Sequence, residues 1–484
     1  MIAEWIDQAA ASRGDASYLE DAAGGDVATF AGLRRATAGW ARCLDRAGVA
    51  PGAAVALRWS DPLGYASALV AIVGAGRVVV PLDPAAPGSE LSRMLEVARP
   101  QAIVCDRPAD DLPAGPTVLC PAEALPLDAA PAGDTGGSPG AGGIFLCTSG
   151  TTGTPKGILL RDDQIAHVAA AVASHHRLSP ADRGYCCLPL FHINAEVVGL
   201  LATLAARACL VLDRKFSRRG FWPLIEEKRI TWINAVPAII TVLAMDPFNT
   251  ERPGVHVRFI RSASAPLAPS ALRRFEQAFG IPVIETYGMT EAASMITANP
   301  VDGPRKAGSV GLPAGAEVRV VPICAAADSV GRVQIRGRGV ITEYATGGPA
   351  GAVDPEGWLD TGDLGRFDED GYLFLAGRSD DVINRGGEKI YPREIEEFLL
   401  AHEGVSSAAV VAAPDEVLGE RPVAYVVPTG SWSPDKLEYA LHQACEAGLP
   451  RAKRPSAFFV VDEMPLGPTG KIARRRLREL ANCS

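Results

Sequence analysis

Apolar residues fall into two alternating rhythms through the first 300 positions of this chain. From Phe30 to Ala47 they return every three or four residues, which predicts an amphipathic helix. Ala54-Val55-Ala56-Leu57 and Arg77-Val78-Val79-Val80-Pro81-Leu82 are short and nearly continuous, which predicts buried strands with a helix between them. Alternation of this kind predicts parallel α/β layers. The run from Ala66 to Leu82 is interrupted by Arg77 and Pro81, so it reads as a core helix and strand, not a membrane span.

Near Arg378 the pattern changes to a shorter unit. A helix is predicted to begin at Pro392, strands to form around Ala408-Ala409-Val410-Val411 and Val423 to Val427, and a further helix to start at Ser433-Pro434. The expected division is an α/β region over 1–379 and a small α+β domain over 380–484. Ala124 to Gly143, rich in Pro, Gly and Ala, predicts a solvated loop.

Composition narrows the class. With 48% hydrophobic and 21% charged residues the chain reads as an ordinary globular enzyme, expected in the cytoplasm. A net charge of -9 argues against nucleic acid or an anionic membrane as the main partner. Ten scattered cysteines without a C-x-x-C pair suggest reduced thiols, not a disulfide framework or zinc site. The first residues lack a basic start followed by an apolar stretch, so no signal peptide is expected.

Candidate chemistry concentrates in Thr148-Ser149-Gly150-Thr151-Thr152-Gly153-Thr154-Pro155-Lys156-Gly157, directly after Ile144-Phe145-Leu146. Glycines let several amides face one anion, hydroxyls add small donors, and Lys156 supplies a point charge for a polyphosphate. Pro155 and Gly157 exclude a Walker loop. Taken alone, the segment suits a phosphate cradle or a Gly/Thr surface loop equally. Tyr287-Gly288-Met289-Thr290-Glu291 places an acid just past a strand, suited to magnesium or to a helix amino terminus. Thr361-Gly362-Asp363 offers a carboxylate for ribose hydroxyls, or a simple turn. Pro465 to Ile472 carries Lys471 ahead of Arg474-Arg475-Arg476, a run read as a solvated helix face.

From Gly143 to Lys471 these segments, in this order, resemble the motifs of the adenylate-forming superfamily of acyl-CoA synthetases, aryl-CoA ligases, adenylation domains and luciferases. The resemblance implies layered α/β subdomains plus a small β-barrel, followed by a mobile C-terminal domain hinged at Asp380. It assigns the ATP phosphates to Thr148, Ser149, Gly150, Thr151, Thr152, Gly153 and Lys156, and the magnesium ion to Glu291. Thr290 would contact the α-phosphate, Lys471 the reacting oxygen, and Asp363 with Arg378 the ribose. Ser264 falls in the small-residue loop under the adenine and beside the acyl group, with serine where alanine or glycine is usual, and Glu285, Thr286 and Tyr287 fall on the adenine and ribose side. Leu188 to Ala195 resembles the aromatic segment between acyl pocket and adenylate, where His192 is a gate or a buried structural histidine.

The resemblance also bears on acid and acceptor. His192 stands where amino-acid adenylation domains carry an aspartate, which disfavours an α-amino acid. Lys215, the loop with Gly386 and Gly387, and Lys453-Arg454-Pro455 resemble features of CoA ligases. A carrier-protein thiol is the alternative acceptor, as is nitrite activation toward an aryl amine in an actinobacterial antibiotic pathway. Met289 to Pro300 most resembles oxalate–CoA ligases, yet Ser294, Met295 and Thr286 depart from the dicarboxylate pockets. The expected acid is therefore a medium aliphatic or aryl monocarboxylate, walled by Asn194, Val198, Ser294 and Met295. Glu196 is expected in solvent; facing the pocket, it would hold an amine or hydroxyl. The implied substrates are ATP with Mg2+, the acid and CoA, in a monomer or homodimer.

Overall fold

A computed structural model describes residues 1–107, 112, 115–120, 140–149, 155–245, 256–323, 330–349, 351–430, 432–466 and 472–482, with backbone only for Thr148, Ser149 and Pro155. The predicted loop before the phosphate segment falls mostly outside these residues. The helix Phe30–Arg46 starts where Thr29 caps it, its hydroxyl accepting the Gly32 N–H at 3.0 Å. The predicted strands appear as Ala54–Arg58 and Val78–Pro81, joined by the helix Pro62–Gly74.

Among the described residues two large sheets form the N-terminal domain. One has six strands, ordered Thr117–Leu119, Ala102–Cys105, Ala54–Arg58, Val78–Pro81, Gly143–Ser149 and Pro155–Arg161. The other has nine, and at its centre Val283–Tyr287, Phe259–Ser262, Trp232–Ala235 and Arg183–Cys186 run parallel. One apolar core joins them, from Val55 and Val79 through Ile165 and Val172 to Trp232 and Phe259. Parallel strands are covered on both faces, which is why all four residues of Trp232–Ala235 are buried.

Instead of the expected small barrel, the described residues show an open antiparallel sheet of four strands, Glu317–Pro322, Gly331–Arg336, Leu359–Phe367 and Leu373–Arg378. The order follows the chain, and no bond in the described sheet joins its first strand to its last. The smaller C-terminal domain has a separate core, including Ile383, Leu399, Val410, Val426 and Leu441. Its main hairpin is Val405–Asp415 with Gly419–Pro428, and the helices Pro392–Leu400 and Pro434–Gly448 pack with it. No helix among the described residues is long and apolar enough to cross a membrane.

Candidate active site

The parallel strands Phe259–Ser262 and Val283–Tyr287 end side by side, and the carboxyl end of such a sheet is where an α/β fold opens a crevice. The chain leaves them under strain. Ser264, Ala293 and Ser294 hold φ of 74°, 49° and 96°, a left-handed region rarely occupied by residues with a Cβ. Gly288 has no alternative: a Cβ there would lie 1.2 Å from the Ser294 carbonyl oxygen.

At one end of the crevice the Tyr287 hydroxyl donates to Asp363 at 2.5 Å. Arg378 is the cross-strand partner of Asp363, its Nη1 3.3 Å from the carboxylate and 3.2 Å from the Thr361 carbonyl. The antiparallel register of Leu359–Phe367 with Leu373–Arg378 thus brings Asp363 and Arg378 together, and the Tyr287 bond joins a third predicted residue from another sheet. Burial and the Asp363 charge push the Tyr287 phenol well above its ordinary value.

At the other end, the hairpin Gly143–Ser149 with Pro155–Arg161 pairs Thr148 with Lys156. Gly150, Thr151, Thr152 and Gly153 lie outside the described residues. The Lys156 ammonium sits 5.2 Å from the centre of the Tyr344 ring, and the Tyr344 hydroxyl donates to Glu291 Oε1 at 2.9 Å. Two backbone bonds hold this arrangement: Gly157 N–H to Thr346 O at 2.9 Å, and Ile341 N–H to Glu291 O at 2.9 Å. Sequence reasoning missed Tyr344, which lies in an irregular segment without periodicity. Thr290 is half-buried at the start of the short 3-10 turn Thr290–Ala292.

Between the two ends, Glu285 is buried, with Oε1 accepting the Leu267 N–H at 3.3 Å and Oε2 unpartnered. Burial pushes its carboxyl up to about 7, against the pull of Arg393 from the C-terminal domain. The Thr286 hydroxyl is committed to the Ser262 carbonyl at 3.0 Å.

Of the residues expected to wall the acid, Val198 and Met295 are fully buried in the large core and Asn194 and Ser294 nearly so, while His192 is half-buried against the Phe191 ring at 4.7 Å. Glu196 corrects the expectation of a solvated carboxylate. It is 0% exposed, both oxygens lack a hydrogen-bond partner among the described residues, and burial pushes its carboxyl well above the usual range. It lies in the π-helix Asn194–Leu201, whose residues are all buried, so no polar face marked its position. Arg261 and Asn234, also missed, are buried beside Asn194.

Lys215 is exposed beyond the strand Cys209–Leu212. Gly386 and Gly387, at φ 59° and 93°, form the exposed two-residue turn between Ile383–Arg385 and Glu388–Ile390. Lys453 is paired with Glu394 at 2.7 Å, and Arg454 bonds the Leu449 and Glu446 carbonyls. Arg474 departs from the solvated face expected of its run: it pairs with Glu396 at 2.7 Å, while Arg475 and Arg476 are exposed. Arg478 donates to the Asp380 carbonyl at 3.0 Å and to the Asp381 carboxylate, tying the last helix, Arg474–Ala481, to the segment between the domains. Lys471 lies outside the described residues.

Residues 6–345 match the family described as AMP-binding enzyme, and residues 394–471 match the AMP-binding enzyme C-terminal domain. The chain belongs to the AMP-binding enzyme family. It is 37% identical to a sulfoacetate–CoA ligase of Cupriavidus necator, over 98% of this chain and 97% of that protein. It is 35% identical to an oxalate–CoA ligase of Arabidopsis thaliana, over 90% and 89%. Among solved structures, o-succinylbenzoate CoA synthetase from Bacillus subtilis in complex with its acyl-adenylate intermediate aligns with 98% of this chain and 97% of its own, at a TM-score of 0.85 and 27% identity.

Proposed function

We propose that this enzyme is an AMP-forming acid–CoA ligase. The observation that carries the reading is the convergence of Lys156 and Glu291 on Tyr344, whose hydroxyl also feels the charge of Arg378 in the Tyr287–Asp363–Arg378 cluster. A cation and a carboxylate at one end suit a magnesium triphosphate, and a carboxylate fixed by two donors at the other suits a ribose. Magnesium bound with phosphates needs only one or two protein carboxylates. Glu291 fits, because Tyr344 occupies one of its oxygens and leaves the second for a cation. When bound, the ion would neutralise phosphate charge.

In the reaction, a carboxylate oxygen of the acid attacks the α-phosphorus, the bond to the bridging oxygen breaks, and pyrophosphate leaves. Lys156 and the backbone around Thr148 and Ser149 hold the departing phosphates, Thr290 the α-phosphate, and Lys471 the attacking oxygen. Residues 380–484 then turn about Asp380, withdrawing Lys471 and bringing Gly386 and Gly387 to the cleft. The CoA sulfur forms a thioester with the acyl carbon, AMP departs, and the thiol proton goes to solvent. The CoA ligases among the relatives support CoA as acceptor over a carrier protein or nitrite. Incubation with ATP and a panel of acids, with and without CoA, tests this: AMP and thioester should appear together. Equal AMP formation without any thiol would contradict it.

A further inference from the structure

Arg261 is 1% exposed, and among the described residues no carboxylate pairs with it. Its Nη1 donates to the Asn194 side-chain oxygen at 2.7 Å and to that of Asn234 at 3.1 Å. The Asn234 amide nitrogen lies 3.4 Å from the same Asn194 oxygen. A guanidinium only donates, so it fixes which way both amides point. The Asn194 nitrogen therefore faces away from the arginine, 3.4 Å from the Ser264 hydroxyl, and Ser264 is exposed at the end of its strand. The nearby His175 and His176 are held neutral, since burial and the Arg261 charge keep both below the ordinary imidazole range.

Asn194 and Ser264 thus present donors, backed by a buried cation that pairs with no carboxylate among the described residues. Such a charge is costly to bury, and groups of this kind gather where a ligand completes the balance. An aliphatic tail would leave it uncompensated. We propose that the activated acid carries a second oxyanion, a sulfonate or carboxylate, received by the Asn194 amide and the Ser264 hydroxyl. Arg261 orients that amide and supplies charge from behind, as a positioning residue. The inference rests on the acid-activating reading above and replaces the monocarboxylate expected from the sequence with an acid that carries a second anionic group.

Size-matched acids test it: sulfoacetate against 3,3-dimethylbutyrate, and malonate against 3-methylbutyrate. Calorimetric binding to the AMP-loaded enzyme and acid-dependent pyrophosphate exchange are read separately. The wild type should favour the anionic member of each pair by about tenfold or more. Arg261→Met should remove that preference, and Asn194→Asp, which seats a carboxylate against Arg261 and keeps the buried pair balanced, should reverse it. Neutral acids binding as tightly as anionic ones, no binding of either, or a preference unchanged in a folded Asn194→Asp protein would overturn the inference. Exchange driven by neutral acids alone would remove it and leave the ligase reading intact. A calorimetric preference without exchange for any acid would keep it and remove that reading.

Discussion

Beside the six-stranded sheet, Arg77 is fully buried just before Val78–Pro81; in the nine-stranded sheet, Arg261 is buried to the same degree near the end of Phe259–Ser262. Arg77 reaches the Asp45 carboxylate and donates to the Val49 and Ala75 carbonyls at 2.9 and 2.6 Å. Arg261 reaches two neutral amides and no carboxylate among the described residues. Burial holds the Arg261 pKa down to about 9, whereas Arg77 is paired with the Asp45 carboxylate. A charge that serves the fold is balanced within the chain; one that serves a ligand waits for its counterpart. The crevice beside Arg261 repeats the pattern, with Glu285 Oε2 and Ser262 Oγ also unpartnered.

The contrast separates residues that react from residues that fold, and substitutions sharpen it. The largest effect is expected at Lys471, which we propose steadies the reacting oxygen. Lys471→Ala should slow pyrophosphate release by about 100- to 1000-fold, the scale for removing one oxyanion stabiliser, while a synthetic acyl adenylate still becomes thioester. Equal loss of both steps would contradict the exchange of domain faces. Arg77→Ala should act on the other side of the divide, lowering unfolding free energy by about 3 kcal/mol in chemical denaturation without altering acid preference. A shifted preference would erase the distinction.

Glu285→Gln should expose a cost of about 2 kcal/mol that grows as pH rises from about 4.5 to about 7 and is level above that. The folded carboxyl sits at about 7 against an ordinary 4.5, so the unfolded chain ionises first as pH rises. Wild-type stability contributed by this group is therefore full below pH 4.5 and lost through about 7. Thermal midpoints should show the glutamine variant gaining on wild type at pH 8 relative to pH 5; the same difference at both would refute the raised carboxyl. The smallest effect is expected for Tyr344→Phe, which removes the 2.9 Å bond to Glu291. A magnesium titration of pyrophosphate release should show kcat/KM lower by about fivefold, with stability nearly unchanged. An unchanged titration would detach Tyr344 from the site.

Much of this was legible before any coordinates. The runs at Ala54 and Val78 name themselves as strands because parallel sheets are covered on both faces, and the observed strands Ala54–Arg58 and Val78–Pro81 match them closely. Tyr287 to Glu291 and Asp363 were legible as motifs, and sheet register then brought Asp363 to Arg378. Other features left weaker marks. Arg261 was visible as a lone charge in Phe259-Ile260-Arg261-Ser262, but strand periodicity says nothing about what a buried cation faces. Glu196 was misread because a π-helix packed on every side has no solvent stripe. Tyr344 depends on contacts that Lys156 and Glu291 make from distant segments, which local sequence does not encode.

The most direct measurement follows labelled pyrophosphate into ATP with the intact enzyme, magnesium and an acid panel, before any thiol is added. Acid-dependent label uptake that disappears in Lys471→Ala is the predicted result. Label uptake equal in that variant, or absent with every carboxylic acid, would contradict an adenylate formed between Lys471 and the Lys156–Tyr344–Glu291 cluster.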